Sequence, residues 1–276
     1  MSNAPYLLAK ARGGYRVGHD KIFDHMMLDG LEDAYEKGRS MGDFGEAAAE
    51  AYQFSRDDQD AYAVETLTRA RRAIENRHFA AEITPVPVAV KGAETMVEDD
   101  EHPLKVSPEK IPALKPAFRP DGTITAASAS ANADGAAALV LTRRSIAERE
   151  GLPILAEIKA HATHSQAPEW YTTAPIPAIR KVLEKTGWTV ADVDLFEINE
   201  AFAVVAMAAA RDLGIKPDRL NVNGGACALG HPIGATGARL IVTLLHALQH
   251  HGLKKGVAAL CIGGGEATAI SIERVE

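Results

Sequence analysis

The sequence predicts an α/β fold, a mixed sheet with helices packed on it. Three observations lead there. Short strand-like runs at residues 154–160, 193–196, 256–262 and 267–273 alternate with helical runs at 175–184, 200–213 and 240–248. The last two strands are joined by Gly263-Gly264-Gly265 and Glu266, as in a hairpin. Of 276 residues, 46% are hydrophobic and 24% charged, enough apolar material for a substantial core.

The elements follow in order. Gly13-Gly14 marks a turn. Phe23, Met26, Met27, Leu31 and Ala34 recur at helical spacing and predict a helix over 21–37. Residues 45–52 predict a short second helix. The clearest amphipathic helix spans 55–78: Ser55 and Asp58 form an N-terminal signal, and Ala61, Val64, Leu67, Ala70, Ala73 and Ile74 make a core-facing stripe. Residues 83–90 are strand-like, and their two prolines place them at an edge. Residues 97–122 hold acids, prolines and lysines and predict a long surface excursion. Residues 136–141 predict a buried strand or helix segment. Pro175 suits the first turn of the 175–184 helix. Thr189 caps a turn before the 193–196 strand, and Gly252 closes the 240–248 helix.

Composition excludes several classes. A net charge of -7 argues against broad nucleic-acid binding. No run of 18 apolar residues occurs, so no membrane partner is expected. The first five residues lack the basic and apolar regions of a signal peptide. Two cysteines, Cys227 and Cys261, cannot build a disulfide framework and read as reduced thiols in a cytoplasmic setting. His161 with His164, and His250 with His251, lack an acid or cysteine at ligand spacing, so no metal site is expected.

Three segments concentrate the chemistry. Residues 221–237 place five glycines around His231, with a helix following. Glycine lets a ligand approach the backbone closely, so the imidazole is either a reacting group or a polar side chain satisfied by the turn. Residues 261–267 put Cys261 at a strand end before three glycines; the thiol is either a proton carrier or a small buried residue. In residues 197–203, Asn199 and Glu200 lie between a strand and an apolar helix. The Asn199 amide either anchors a water or oxyanion, or caps the helix.

Taken together, Asn199-Glu-Ala-Phe202, Asn221-Val-Asn-Gly-Gly225 with Gly230-His-Pro232, and Cys261-Ile-Gly-Gly-Gly265 resemble the thiolase family, in particular acetyl-CoA acetyltransferases. The resemblance runs over essentially the whole chain, through Met1-Ser-Asn-Ala-Pro-Tyr6, Asp29-Gly-Leu31, residues 54–61, Lys115-Pro-Ala-Phe118 and Asp134-Gly-Ala-Ala137. It implies a layered α-β-α-β-α architecture: the remainder of an N-terminal half with a loop domain over 1–122, and a C-terminal half over 123–276. The family's acyl-accepting cysteine precedes the segment resembling residues 1–4, so the expectation is a chain holding about the last two-thirds of a thiolase. Such a chain is expected to be inactive by itself, with exposed sheet edges and apolar faces.

The resemblance also implies roles. His231 activates the nucleophile and polarises the thioester oxygen, Asn199 holds a water completing that oxyanion site, and Cys261 moves the α-proton of the second acyl-CoA. The N–H of Gly263 lines a second oxyanion hole. Ser130 falls at a pantetheine-contacting serine, Leu31 and Met41 in segments lining the coenzyme A groove, and Phe202 at the acyl end. Read without the resemblance, Ser130 is a helix cap and Leu31, Met41 and Phe202 are core residues. The implied activity is acetoacetyl-CoA synthesis or thiolysis by Claisen chemistry, with coenzyme A thioesters as substrates, no cofactor, and a homo-oligomer in the full-length form. Two departures stand out: Ser40 replaces a histidine often found near coenzyme A, and Leu104, beside Lys105, lies near an arginine used at the nucleotide. The alternatives are a non-catalytic acyl-CoA-binding remnant and a ketosynthase. Cys261, where a ketosynthase carries its second histidine, favours the thiolase.

Overall fold

A computed structural model describes residues 1–90 and 92–275. The chain opens with a two-stranded antiparallel ribbon, β1 (Tyr6–Leu7) against β2 (Phe23–Asp24). The helix expected over 21–37 is replaced by this strand and one π-helical turn, Met27–Leu31. Competition for the backbone explains the difference: the Asp33 carboxylate accepts the N–H groups of Tyr35 and Glu36, which diverts the chain into a turn.

Helix α1 (Met41–Ala51) begins four residues before the expected Gly45. Ser40 Oγ accepts the Asp43 N–H, and the Asp43 carboxylate accepts the Ser40 N–H. This reciprocal cap satisfies two orphan donors of the first turn. Helix α2 (Arg56–Glu75) starts with the same device at Ser55 and Asp58, as the sequence predicts. Its buried stripe includes Ala63, Leu67, Ala70 and Ala73.

Strand β3 (Val86–Val90) forms a hairpin with β4 (Ala93–Val97). The 97–122 excursion carries a short helix, α3 (Glu101–Lys105), and a 3-10 turn at Pro108–Ala113. Two arginines of α2 strap it down. Arg71 donates to the carbonyls of Pro103 and Val106, and Arg56 to those of Ile111 and Leu114.

Residues 136–141, expected to be buried, form no regular element. Val140 is 93% exposed and Leu141 72%. Among the described residues no strand lies beside them to supply hydrogen bonds or cover their side chains.

Past this segment, α4 (Arg144–Glu150) leads to β5 (Ala156–Ser165), longer than expected and including both His161 and His164. Then come α5 (Pro175–Thr186), β6 (Leu195–Ile198), α6 (Ala203–Leu213), α7 (Ala226–Leu229), α8 (Thr236–His250), β7 (Lys255–Ile262) and β8 (Glu266–Arg274). Helix α6 starts at Ala203 rather than at the expected Glu200. The four strands form one sheet in the order β5-β8-β7-β6. The β7–β8 hairpin is antiparallel as expected, β5 pairs antiparallel with β8, and β6 runs parallel to β7.

The period-two alternation of β7 and β8 divides two cores. Val257, Ala259, Cys261, Ala267 and Ala269 join the apolar faces of α5 and α6. Ala258, Leu260, Ile270 and Ile272 instead meet Leu240, Leu244 and Leu248 of α8. Each of these buried leucines contributes about 1.5–3 kcal/mol. Gly256 is required where it stands: a Cβ there would lie 2.8 Å from the Leu244 side chain. This sandwich places the C-terminal ends of β6 and β7 next to each other, and the candidate site forms there.

Candidate active site

Asn199 follows β6 directly. Its backbone N–H donates to the Ala259 carbonyl of β7 at 2.9 Å, continuing the parallel ladder of Ile198 with Ala259. Cys261 lies two residues, roughly 7 Å, further along β7 on the face shared with Ala259. His231 lies between α7 and α8, and its Nε2 is 3.3 Å from Asn199 Nδ2. The carboxamide and imidazole are thus in contact, and the thiol is on the adjoining strand end. Among the described residues no hydrogen bond joins Cys261 Sγ to either.

The ring of His231 is oriented by a residue the sequence reading passed over. Nδ1 is 2.7 Å from Thr236 Oγ1, and that hydroxyl donates to the Pro232 carbonyl at 3.0 Å. With its proton spent on the carbonyl, the hydroxyl accepts Nδ1–H. Nε2 is left with its lone pair toward the Asn199 amide. Burial, with the charge of Arg239 as a second cause, lowers the His231 pKa to about 4. The imidazole is therefore neutral near pH 7, the form that can take a proton. Asn199 Oδ1 is buried and has no protein partner. Burial pushes the Cys261 thiol up to about 12, so it rests protonated.

An extended strap, residues 128–135, assembles the remaining parts. Ala203 N–H donates to the Ser128 carbonyl, Ser130 N–H to that of Ala201, and His231 N–H to that of Ala131. Asn132 forms a parallel bridge with His231. The contacts are so close that a Cβ on Gly135 would lie 2.7 Å from Pro232, and one on Gly230 2.7 Å from Ala133. Ser130 is consequently held between the Asn199 and His231 segments and does not cap a helix.

The other expected positions come from both halves of the chain. Phe202 is buried edge-on against Phe118, with ring centroids 5.6 Å apart. Met41, the first residue of α1, approaches the exposed Gly263 turn, since a Cβ on Gly263 would be 3.0 Å from its Sδ. Leu31 ends the π-helical turn, whose Gly30 lies next to Ile233, two residues past His231. The eight expected residues thus belong to segments meeting around one region. His161 and His164 lie on β5. His250 and His251 end α8 with the His78 ring against them, 4.0 Å from His250 by centroid.

The thiolase N-terminal domain profile matches residues 1–145, and the thiolase C-terminal domain profile matches residues 152–274. The chain belongs to the thiolase family. A probable acetyl-CoA acetyltransferase from Dictyostelium discoideum is 48% identical over 276 residues, taking in 100% of this chain and 66% of the relative. An acetyl-CoA acetyltransferase from Escherichia coli (strain K12) is 47% identical over 277 residues, taking in 100% of this chain and 70% of the relative. The crystal structure of the Bacillus anthracis acetyl-CoA acetyltransferase superposes with a TM-score of 0.94 at 42% identity, across 98% of this chain and 68% of that one. A thiolase from Ascaris suum, in complex with coenzyme A, superposes with a TM-score of 0.92 at 41% identity, across 99% and 69%. The thiolase fold expected from the motifs is therefore the fold observed. This thiolase chain spans about two-thirds of the length of these relatives. Among its described residues no helix is long and apolar enough to cross a membrane.

Proposed function

We propose that this thiolase chain carries the acid–base and oxyanion-stabilising part of an acyl-CoA C-acyltransferase site that forms or cleaves acetoacetyl-CoA. The observation supporting this most directly is the Asn199–His231 contact at 3.3 Å, at the same strand ends as Cys261. The names of the relatives, and the coenzyme A bound in the Ascaris suum structure, support the substrate class.

His231, neutral and with its Nε2 lone pair facing the Asn199 amide, takes the proton of an acyl-accepting thiol; as imidazolium it then donates toward the thioester oxygen. Asn199 supplies a second polar group, through its unpaired Oδ1 to a water or through its amide to the oxygen. Cys261, resting as a thiol, gives its proton to the α-carbon in thiolysis and is left as the thiolate; in condensation it first gives its proton to the departing coenzyme A thiolate and then, as the thiolate, takes the α-proton and becomes the thiol again. The Gly263 N–H serves the second oxyanion. Ser130, Leu31, Met41 and Phe202 line the path of the pantetheine and acyl group. No cofactor takes part in this scheme. The acyl-accepting thiol itself is assigned to neither Cys227 nor Cys261: both are buried, and burial raises both pKa values. An oligomer in the cytoplasm is the setting this reading carries.

The test is thiolysis of acetoacetyl-CoA by the 276-residue chain and by the same chain joined to the upstream third of its E. coli relative. The expected result is turnover by the joined chain only, lost in His231→Ala and Cys261→Ala. A folded joined chain without turnover would refute the assignment, and turnover by the 276-residue chain would refute the need for an outside nucleophile.

A further inference from the structure

We propose that Glu200 is a positioning residue: its carboxylate draws four separate segments together and thereby fixes the Asn199–His231 pair. The inference rests on the functional reading above, because it gives Asn199 and His231 their place at the reacting carbonyl.

The geometry is specific. Glu200 is fully buried. Its Oε1 accepts from Tyr62 Oη at 2.8 Å, Asn221 Nδ2 at 2.9 Å and Thr66 Oγ1 at 3.1 Å. Its Oε2 accepts from Thr66 Oγ1 at 3.0 Å and from the Cys227 N–H at 3.1 Å. Every neighbour donates, so only an acceptor-only group satisfies the cage. The hydroxyls of Tyr62 and Thr66 can turn round; the Cys227 N–H and the Asn221 amide cannot. Burial, followed by the Glu200 charge, holds the Tyr62 phenol protonated well above its ordinary value, which keeps it a donor.

Each donor belongs to a segment that bears on the site. Asn221 does more than touch Glu200: its side chain also accepts the Ile198 N–H at 2.8 Å and donates to the Ile198 carbonyl at 2.9 Å. It therefore holds the backbone of Ile198 just before Asn199 and the side chain of Glu200 just after it. It does so from a left-handed conformation, φ +46°, that an unconstrained Asn would seldom hold. Thr66 in turn accepts the Gly225 N–H at 2.8 Å, and Cys227 lies in the turn of helix that delivers His231. Gly225 has no room for a side chain, because a Cβ would lie 2.3 Å from the Glu200 carboxyl carbon. One carboxylate thus anchors α2, the 221–225 loop and α7 to the residue next to Asn199. The sequence showed Glu200 only as a neighbour of Asn199.

The experiment uses isotope-labelled 276-residue chains of the parent, Glu200→Gln, the milder Tyr62→Phe, and Glu46→Gln as a control. Glu46 is a buried carboxylate elsewhere that accepts the N–H groups of Thr123 and Ile124. The readouts are the His231 titration by NMR and the amide exchange of Gly225 and Cys227. In Glu200→Gln the His231 midpoint should climb from about 4 toward its ordinary value, and both amides should lose about tenfold or more of their protection. Tyr62→Phe should move both readouts the same way by less, and it decides the matter should Glu200→Gln not fold. Glu46→Gln should lower the melting temperature without moving His231. An unmoved His231 in folded Glu200→Gln, or in Tyr62→Phe if that variant alone folds, would overturn the proposal. An equal shift in Glu46→Gln would do the same. These readouts need no turnover, so they stand apart from failure of the thiolysis test. Where the joined chain is active, Glu200→Gln should lower kcat about tenfold or more with little change in KM, and a change confined to KM would count against positioning.

Discussion

Thr236→Val tests the orientation of His231 directly. Thr236 is fully buried, and valine keeps its shape while removing the hydroxyl. Two hydrogen bonds disappear, His231 Nδ1–H to Oγ1 at 2.7 Å and Oγ1–H to the Pro232 carbonyl at 3.0 Å. Each is worth about 1 kcal/mol net; the Pro232 carbonyl keeps the N–H groups of Ala235 and Thr236, but the His231 Nδ1–H loses its partner, which brings the loss to about 2–3 kcal/mol. For a chain of this size that corresponds to a melting temperature lower by about 5–10 °C. A second effect is chemical. Without an acceptor at Nδ1 the ring no longer prefers the Nδ1–H form, so the proton moves to Nε2 in a large fraction of molecules. Nitrogen chemical shifts of the labelled imidazole report this tautomer. A variant with parental melting and parental ring-nitrogen shifts would refute the argument. So would lowered melting with an unchanged tautomer, since the hydroxyl would then be only structural.

Three further outcomes are expected. Leu244→Ala, at a fully buried position between α8 and the sheet, should cost about 3 kcal/mol in urea unfolding, and a loss under 1 kcal/mol would mean that the site collapses around the cavity. Burial raises the Glu197 pKa to about 8, only partly offset by Arg239, so its contribution to stability is full below the ordinary carboxylate range and is lost as pH rises through about 8. Glu197→Gln should therefore gain on the parent between pH 5 and 8 in unfolding measurements at several pH values. A constant difference would show that Glu197 ionises as freely folded as unfolded. Cys227 and Cys261, both buried with pKa values raised by burial, should resist a thiol reagent until the chain is unfolded, and rapid labelling of either in the native state would show that its environment is more open.

Much of this molecule is legible residue by residue. The Ser55–Asp58 cap and the apolar stripe behind it specify α2 from local chemistry, and the three-glycine turn specifies the β7–β8 hairpin. The motif residues Asn199, His231 and Cys261 stand out because glycine or a strand–helix junction flanks each one. Local reasoning failed where a competing partner decided the outcome. Asp33 takes the N–H groups that a helix over 21–37 would need. Residues 136–141 are apolar enough for a core, yet Val140 and Leu141 lie exposed because burial requires a covering surface as well as a hydrophobic run.

The sequence by itself determined the α/β class, the principal helices and the identity of the polar groups at the candidate site. Tertiary structure alone decided their geometry. The parallel ladder of β6 on β7 sets Asn199 beside Cys261, the 128–135 strap carries His231 to Asn199, and Thr236 and Glu200 fix the angles. The physical reason is that hydrogen-bond direction and close packing are properties of pairs of segments distant in sequence, whereas periodicity and caps are written within one segment.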